Sequence, residues 1–261
     1  MYQNKEDVKM QYNFKDLLKQ AISEEGKLSE CYNLLHDYSF CNSYLLAVQQ
    51  RAKKQEVKPC GSFNKWKSLG GRIKAGSKAM AVFIPKMQTI ITTDKETGEK
   101  VKIQIPNGFF LKNVIFSLND VDNIEPKAVE TLQDFDIYKA CQNLGIAIKK
   151  YDMIDGNCQG YAIPEEKAIA LNPLAENPLK TLVHEVAHCI LHQKDADEKR
   201  RRIREVEAEC TAYLTLNVLG KTEYNKESRG YIQHWLDGAE VEEKTAQRIF
   251  GAVNKILKAG R

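Results

Sequence analysis

Apolar and polar positions divide the chain into a helical opening, a strand-rich middle and a helical second half. Helical spacing predicts helices over residues 7–23 and 28–54, the second offering Leu34, Tyr38, Leu45, Leu46 and Val48 to a core. A glycine-punctuated stretch follows, from Gly61 to Gly76. Beyond it, residues 79–85 read as a strand, 88–93 and 101–105 as a hairpin turning about Lys95–Gly98, and 109–117 as another strand. The polar run 119–126 is the linker, and it sets two domains, 1–122 and 123–261.

The second half opens with a helix over 127–143, closed by Gly145 where a left-handed residue ends a helix well. A short strand over 146–150 comes next, then a hairpin of 160–163 and 168–172. Asn177-Pro178 places a cap and a first-turn proline at the head of a helix reaching residue 193. Helices over 197–219, stopped by Gly220, and over 241–258 complete the chain. The expected class is α+β, with no internal repeat and no low-complexity tract.

Composition narrows the picture. With 43% apolar and 28% charged residues in 261, the chain has the makings of a packed core and is not of the disordered class. No run of apolar residues is long enough to span a membrane, and residues 1–20 lack a signal peptide's apolar core, so a cytoplasmic location is expected. The seven cysteines are odd in number with no C-x-x-C pair, and are expected to be reduced, mostly buried thiols. Charge is uneven: residues 1–118 hold 19 Lys and Arg against 11 Asp and Glu, whereas 119–261 hold 20 against 24. The basic half is the candidate for a polyanionic partner.

The chemistry concentrates at His184-Glu185-Val186-Ala187-His188. Histidines four apart on a helix project from one face, so both can ligate one tetrahedral zinc ion. Glu185, beside the first ligand, is placed to take a proton from zinc-activated water. A third ligand is required, and the next helix offers Glu205 and Glu209, again four apart, while Glu207 points elsewhere. Glu205 is assigned to the metal and Glu209 to a hydrogen bond on a ligand histidine, with the reverse assignment left open. His192 lies two turns from His184, roughly 12 Å by helix rise, and is read as a surface or packing residue. Tyr213 is an oxyanion candidate given no role, and His36 and His234 lie outside the cluster.

From Arg51 to Lys78 nine cations face one acid, Glu56, with Phe63, Trp66, Gly70, Gly71 and Gly76 interleaved. Cations neutralise phosphates, aromatics stack on unpaired bases, and glycines let a backbone approach closely. Arg51, Lys53, Lys54, Lys65, Lys67, Arg72, Lys74 and Lys78 are the nucleic-acid-binding candidates, while Trp66 is read as core.

The metal motif followed by Arg204-Glu205-x-x-x-Glu209 resembles the gluzincin metallopeptidases. That resemblance maps His184, His188 and Glu205 to ligands, Glu185 to the general base and Glu209 to the acid behind the ligands. Tyr38-Ser39-Phe40-x-Asn42-x-Tyr44-Leu45-Leu46, then Phe63-x-x-Trp66-x-x-Leu69-Gly70-Gly71-x-Ile73-x-x-Gly76-x-Lys78 and Ala81-Val82-Phe83-Ile84, are similar to the ArdC antirestriction family. Tyr231-Ile232-x-x-Trp235 extends the likeness toward the C-terminus, and the hairpin about 94–100 departs from it. The family implies a mixed helix and strand domain binding single-stranded DNA, followed by a zincin-like metallopeptidase domain, on conjugative elements. A protein or peptide substrate is then expected. The same half also looks like the ImmA/IrrE type, which acts on regulators. The rival expectation is a DNA-protecting protein whose zinc is structural.

Overall fold

The computed structural model describes residues 12–24, 26–93, 97–124, 134–153, 157–192, 201–225, 228–230, 232 and 241–261. The expected helical starts at 7–11, 127–133 and 197–200, part of the turn at 94–96, and Tyr231, His234 and Trp235 lie outside them. The fold is α+β, in two compact units: residues 1–44 with 130–261, and residues 45–129. The division falls inside one helix and again after residue 129, seven residues past the sequence boundary at 122.

The larger unit holds α1 (Phe14–Ser23), α2 (Leu28–Leu35), the start of α3 (Phe40–Ala52), α5 (Ile137–Leu144), α6 (Pro178–Leu191), α7 (Arg201–Val218) and α8 (Glu243–Ala259). Phe14, Leu17, Leu18, Ala21 and Ile22 recur on one face of α1 and are buried, and Asn13 caps it by accepting from the Asp16 amide at 2.8 Å. This helix packs on α7 and α8, and α2 packs on α7. The Glu243 carboxylate accepts the Phe14 and Lys15 amides at 2.9 and 3.0 Å, so the first turn of α8 neutralises the positive end of α1. Residues 14–35, which the sequence reading grouped with the first domain, therefore form their core with the C-terminal helices.

Strands β6 (Ala147–Lys149), β7 (Gly160–Ile163) and β8 (Ala168–Leu171) form a sheet ordered β6-β8-β7, with β6 parallel and β7 antiparallel to β8. Helix α6 lies against β7 and β8. Leu182, Val183, Val186 and Cys189 of α6, with Ile169, Ile137, Cys141, Ala212, Leu216 and Ile256, make the core beneath it. Gly145 ends α5 at φ 66°. Asn177 sits at the cap position of α6, but its side chain makes no capping bond; its backbone carbonyl accepts the Thr181 amide at 3.0 Å and hydroxyl at 3.1 Å.

The smaller unit is built on β1 (Cys60–Ser62), α4 (Phe63–Ser68), β2 (Arg72–Ile73), β3 (Met80–Thr93), β4 (Lys100–Ser117) and β5 (Val121–Asp122). Its antiparallel sheet is ordered β1-β4-β3, and β2 pairs with β5. The four short strands expected over 79–117 are two long ones. Pro85 and the Pro106-Asn107-Gly108 run are absorbed by a bulge, where Lys86 faces two residues of β4 and Gly108 takes φ 82°. The Gln49 side chain exchanges two 2.8 Å hydrogen bonds with the Ala81 backbone, as a neighbouring strand would. No helix among the described residues is long and apolar enough to cross a membrane.

Candidate metal centre

The last two turns of α6 carry His184, Glu185 and His188, and α7 presents Glu205 to them. The His184 and His188 Nε2 atoms stand 3.1 Å apart, and Glu205 Oε2 lies 3.4 Å from the first and 3.6 Å from the second. Ligand atoms about 2.0–2.1 Å from a tetrahedral zinc ion stand roughly 3.3 Å from one another. The three donors thus form one face of such a tetrahedron, and their chemistry, two imidazoles and a carboxylate, suits a divalent cation.

The remaining histidine nitrogens face inward partners. His184 Nδ1 is 3.2 Å from Glu209 Oε2. Glu209 is itself held by the Ser228 hydroxyl and by Lys180 Nζ at 3.3 Å. Burial pushes the His184 imidazolium down, yet hydrogen bonds to Glu205 and Glu209 outweigh it and hold the pKa at about 10. Burial would raise the Glu209 carboxyl, but His184, Ser228 and Lys180 bring it down to about 2. The same two histidines, by hydrogen bonding, pull Glu205 well below the usual carboxylate range.

His188 Nδ1 is 3.0 Å from His192 Nδ1, and His192 Nε2 is 2.9 Å from Glu207 Oε2. His192 and Glu207 are each 1% exposed. Arg248 of α8 places Nη1 3.2 Å from Glu207 Oε1 as an ion pair and donates from Nη2 to the Leu191 carbonyl at 2.5 Å. Burial keeps His192 below its ordinary pKa, against the pull of Glu207. His192 is therefore no surface residue, and Glu207, which does point away from the triad, points at His192. Tyr213 donates its hydroxyl to the Ile22 carbonyl at 3.1 Å.

Glu185 follows His184 in α6, and burial raises its carboxyl against the pull of His184 and His188. It lines a cleft of about 280 Å³ with His184, Glu209, Lys180, Gln159 and Gly160. Gly160 opens β7, an edge strand, and a Cβ there would come within 2.7 Å of Thr181 Cγ2.

In the smaller unit, Lys54, Lys65, Lys67, Arg72 and Lys78 are exposed, whereas Arg51 is half-buried. Lys53 donates to the Lys78 carbonyl at 3.1 Å and pairs with Asp120 at 3.8 Å. Lys74 donates to the Asn119 carbonyl at 2.9 Å. Trp66 is buried, its Nε1 donating to the Phe116 carbonyl at 3.0 Å, and Phe63 is 54% exposed. Gly71 serves packing, since a Cβ would meet Ile124 at 2.4 Å. Sequence reasoning passed over a second surface. Residues 85–93 and 100–113 carry Lys86, Lys100, Lys102 and Lys112 without an acid. On the same ribbon Met87, Ile91, Ile103, Phe109 and Phe110 are all exposed.

The fold and the triad define an α+β protein that joins a basic, strand-rich unit to a helix-borne candidate site for a divalent metal. Residues 19–114 match the family model of the N-terminal domain of anti-restriction factor ArdC. A crystal structure of antirestriction ArdC protein from the R388 plasmid, metal-free, has a TM-score of 0.51 at 21% identity, covering 95% of this chain and 94% of that one. The Mn(II)-bound structure of that protein gives 0.53 at 17% identity, covering 95% and 97%. The chain is thus an ArdC-like protein, by its N-terminal domain and by its fold. An uncharacterized protein of Bacillus anthracis is 28% identical over 278 residues, covering 88% of this chain and 46% of the relative. The chain spans about half the length of that curated relative.

Proposed function

We propose that the chain is an antirestriction-type protein of a mobile or conjugative element, binding single-stranded DNA through residues within 1–122 and carrying a zinc-dependent peptidase centre within 123–261. The observation that carries the peptidase reading is the three-donor face of His184, His188 and Glu205 with Glu185 beside it on the cleft. When bound, zinc supplies Lewis acidity at that face. His184 and His188 would hold it through Nε2 and Glu205 through Oε2, with Glu209 orienting the His184 ring. Glu185 accepts the proton of the attacking water and passes it to the leaving amine, a role that a carboxyl raised toward neutrality serves well. Strand β7 pairs on one side with β8, and no strand among the described residues occupies its other edge. An extended peptide added there would run past Gln159 and Gly160 into the cleft.

For DNA, the support is exposed Lys54, Lys65, Lys67, Arg72 and Lys78 together with the acid-free ribbon bearing Phe109 and Phe110. Phosphates would meet the cations and unpaired bases the aromatics. The deciding experiment is Glu185→Gln, assayed both for protection of incoming DNA against restriction and for retained metal. Loss of protection with the metal kept supports a hydrolytic centre. Undiminished protection would instead support a binding protein with a structural metal. Search for cleaved proteins on expression tests the version in which a regulator is the substrate.

A further inference from the structure

Glu207 is a carboxylate almost wholly buried in α7, within a run from Val206 to Val218 in which every residue is buried. A polar group kept in such a place is weak evidence for stability, because an apolar side chain of similar volume would pack as well. What Glu207 touches is His192, and what His192 touches beyond it is His188, a member of the triad. We infer that His192, Glu207 and Arg248 form a positioning chain that fixes the His188 ring with its Nε2 lone pair toward the triad. The inference rests on the proposed metal centre and names residues that act on it from behind.

The direction of the chain follows from what each atom can donate. Glu207, ion-paired with Arg248, is acceptor-only, so His192 Nε2 carries the proton of the 2.9 Å bond. His192 is 1% exposed and faces a carboxylate already paired with Arg248, so it holds one proton only, and its Nδ1 keeps a lone pair. The 3.0 Å contact between the two Nδ1 atoms is a hydrogen bond only if His188 donates, which puts its proton at Nδ1 and leaves Nε2 bare. Nε2 is the atom that stands 3.1 Å from His184 Nε2 and 3.6 Å from Glu205 Oε2. Arg248 anchors the far end and ties it to the C-terminus of α6 through the Leu191 carbonyl, three residues past His188. His184 has a single carboxylate behind it; His188 has a histidine and then a carboxylate.

The test is isosteric. In Glu207→Gln, the Arg248 guanidinium beside the Oε1 position favours the amide oxygen there, which turns the NH2 toward His192. His192 must then accept at Nε2 and donate from Nδ1, and His188 is driven to carry its proton at Nε2, the atom that should face the cation. Imidazole nitrogen resonances of the metal-free protein read the tautomers directly, and competition with a chromophoric chelator reads zinc affinity. Wild type should show His188 protonated at Nδ1 and His192 at Nε2. Glu207→Gln should move the His188 proton to Nε2 and weaken zinc by roughly 10–100-fold, the range seen when partners behind a ligand are lost. His192→Phe, which merely withdraws the acceptor, should weaken it by no more than that. Wild-type His188 protonated at Nε2, a reading that needs no variant, would overturn the inference. So would a Glu207→Gln protein that unfolds at lower temperature yet holds zinc as tightly as wild type. A wild type that binds no zinc would sink the proposed metal centre, while the wild-type tautomers still decide the chain.

Discussion

At neutral pH the candidate site holds a proton where the cation would sit, and this sets how metal binding should depend on pH. His184 is largely buried, with 19% of its side chain exposed, and its hydrogen bonds to Glu205 and Glu209 hold its pKa at about 10 in the absence of metal. A cation at Nε2 must displace that proton, so apparent affinity should fall tenfold for each pH unit below 10. Three units, from 10 to 7, correspond to about 4 kcal/mol, or roughly a thousandfold in apparent affinity. Titration calorimetry at pH 8 in two buffers of different ionisation enthalpy measures the protons released. About one proton per zinc is expected, falling toward zero above pH 10. Release near zero at pH 8 would show instead that His184 is neutral before the metal arrives.

Other predictions concern stability and partners. The His184 pKa is raised on folding, so its contribution to the metal-free protein is fully present below about 6.5 and lost as pH rises through about 10. Glu209 is lowered, so its share of the same interaction is present above about 4.5 and lost as pH falls through about 2; denaturant midpoints across pH should therefore plateau between 4.5 and 6.5. Gly160→Ala sets a Cβ 2.7 Å from Thr181 Cγ2 and 3.0 Å from the Ala170 carbonyl, and should cost about 1–3 kcal/mol in urea unfolding. Unchanged stability would show that β7 and α6 separate freely. Trp66→Phe leaves the Phe116 carbonyl without its donor and should cost about 1–3 kcal/mol while sparing affinity for a thymine oligonucleotide. Phe109→Ala, on the exposed ribbon, should do the reverse; fluorescence anisotropy distinguishes the two.

The histidine pair was legible because residues four apart on a helix must share a face, and Glu205 and Glu209 obey the same rule one helix later. That rule also applies to His192, which is four from His188, but its distance was reckoned from His184, so a ring contact of 5.0 Å went unseen. Glu207 could not be placed without knowing that α7 is buried on every face from Val206 onward. The division of the strands was misread at Pro85 and at Pro106-Asn107-Gly108, which look like breaks in one dimension and are taken up by a bulge in two. The docking of α1 against α8 joins residues 229 apart, and no local pattern encodes it.

The measurement that bears most directly on the account is the metal content of the purified protein beside His184→Ala and Glu205→Ala. About one zinc per chain, lost in both variants with the fold retained, is the predicted result. Absence of metal from the wild type, or metal indifferent to both substitutions, would contradict a three-donor site and leave an ArdC-like protein whose His-Glu helix serves only its core.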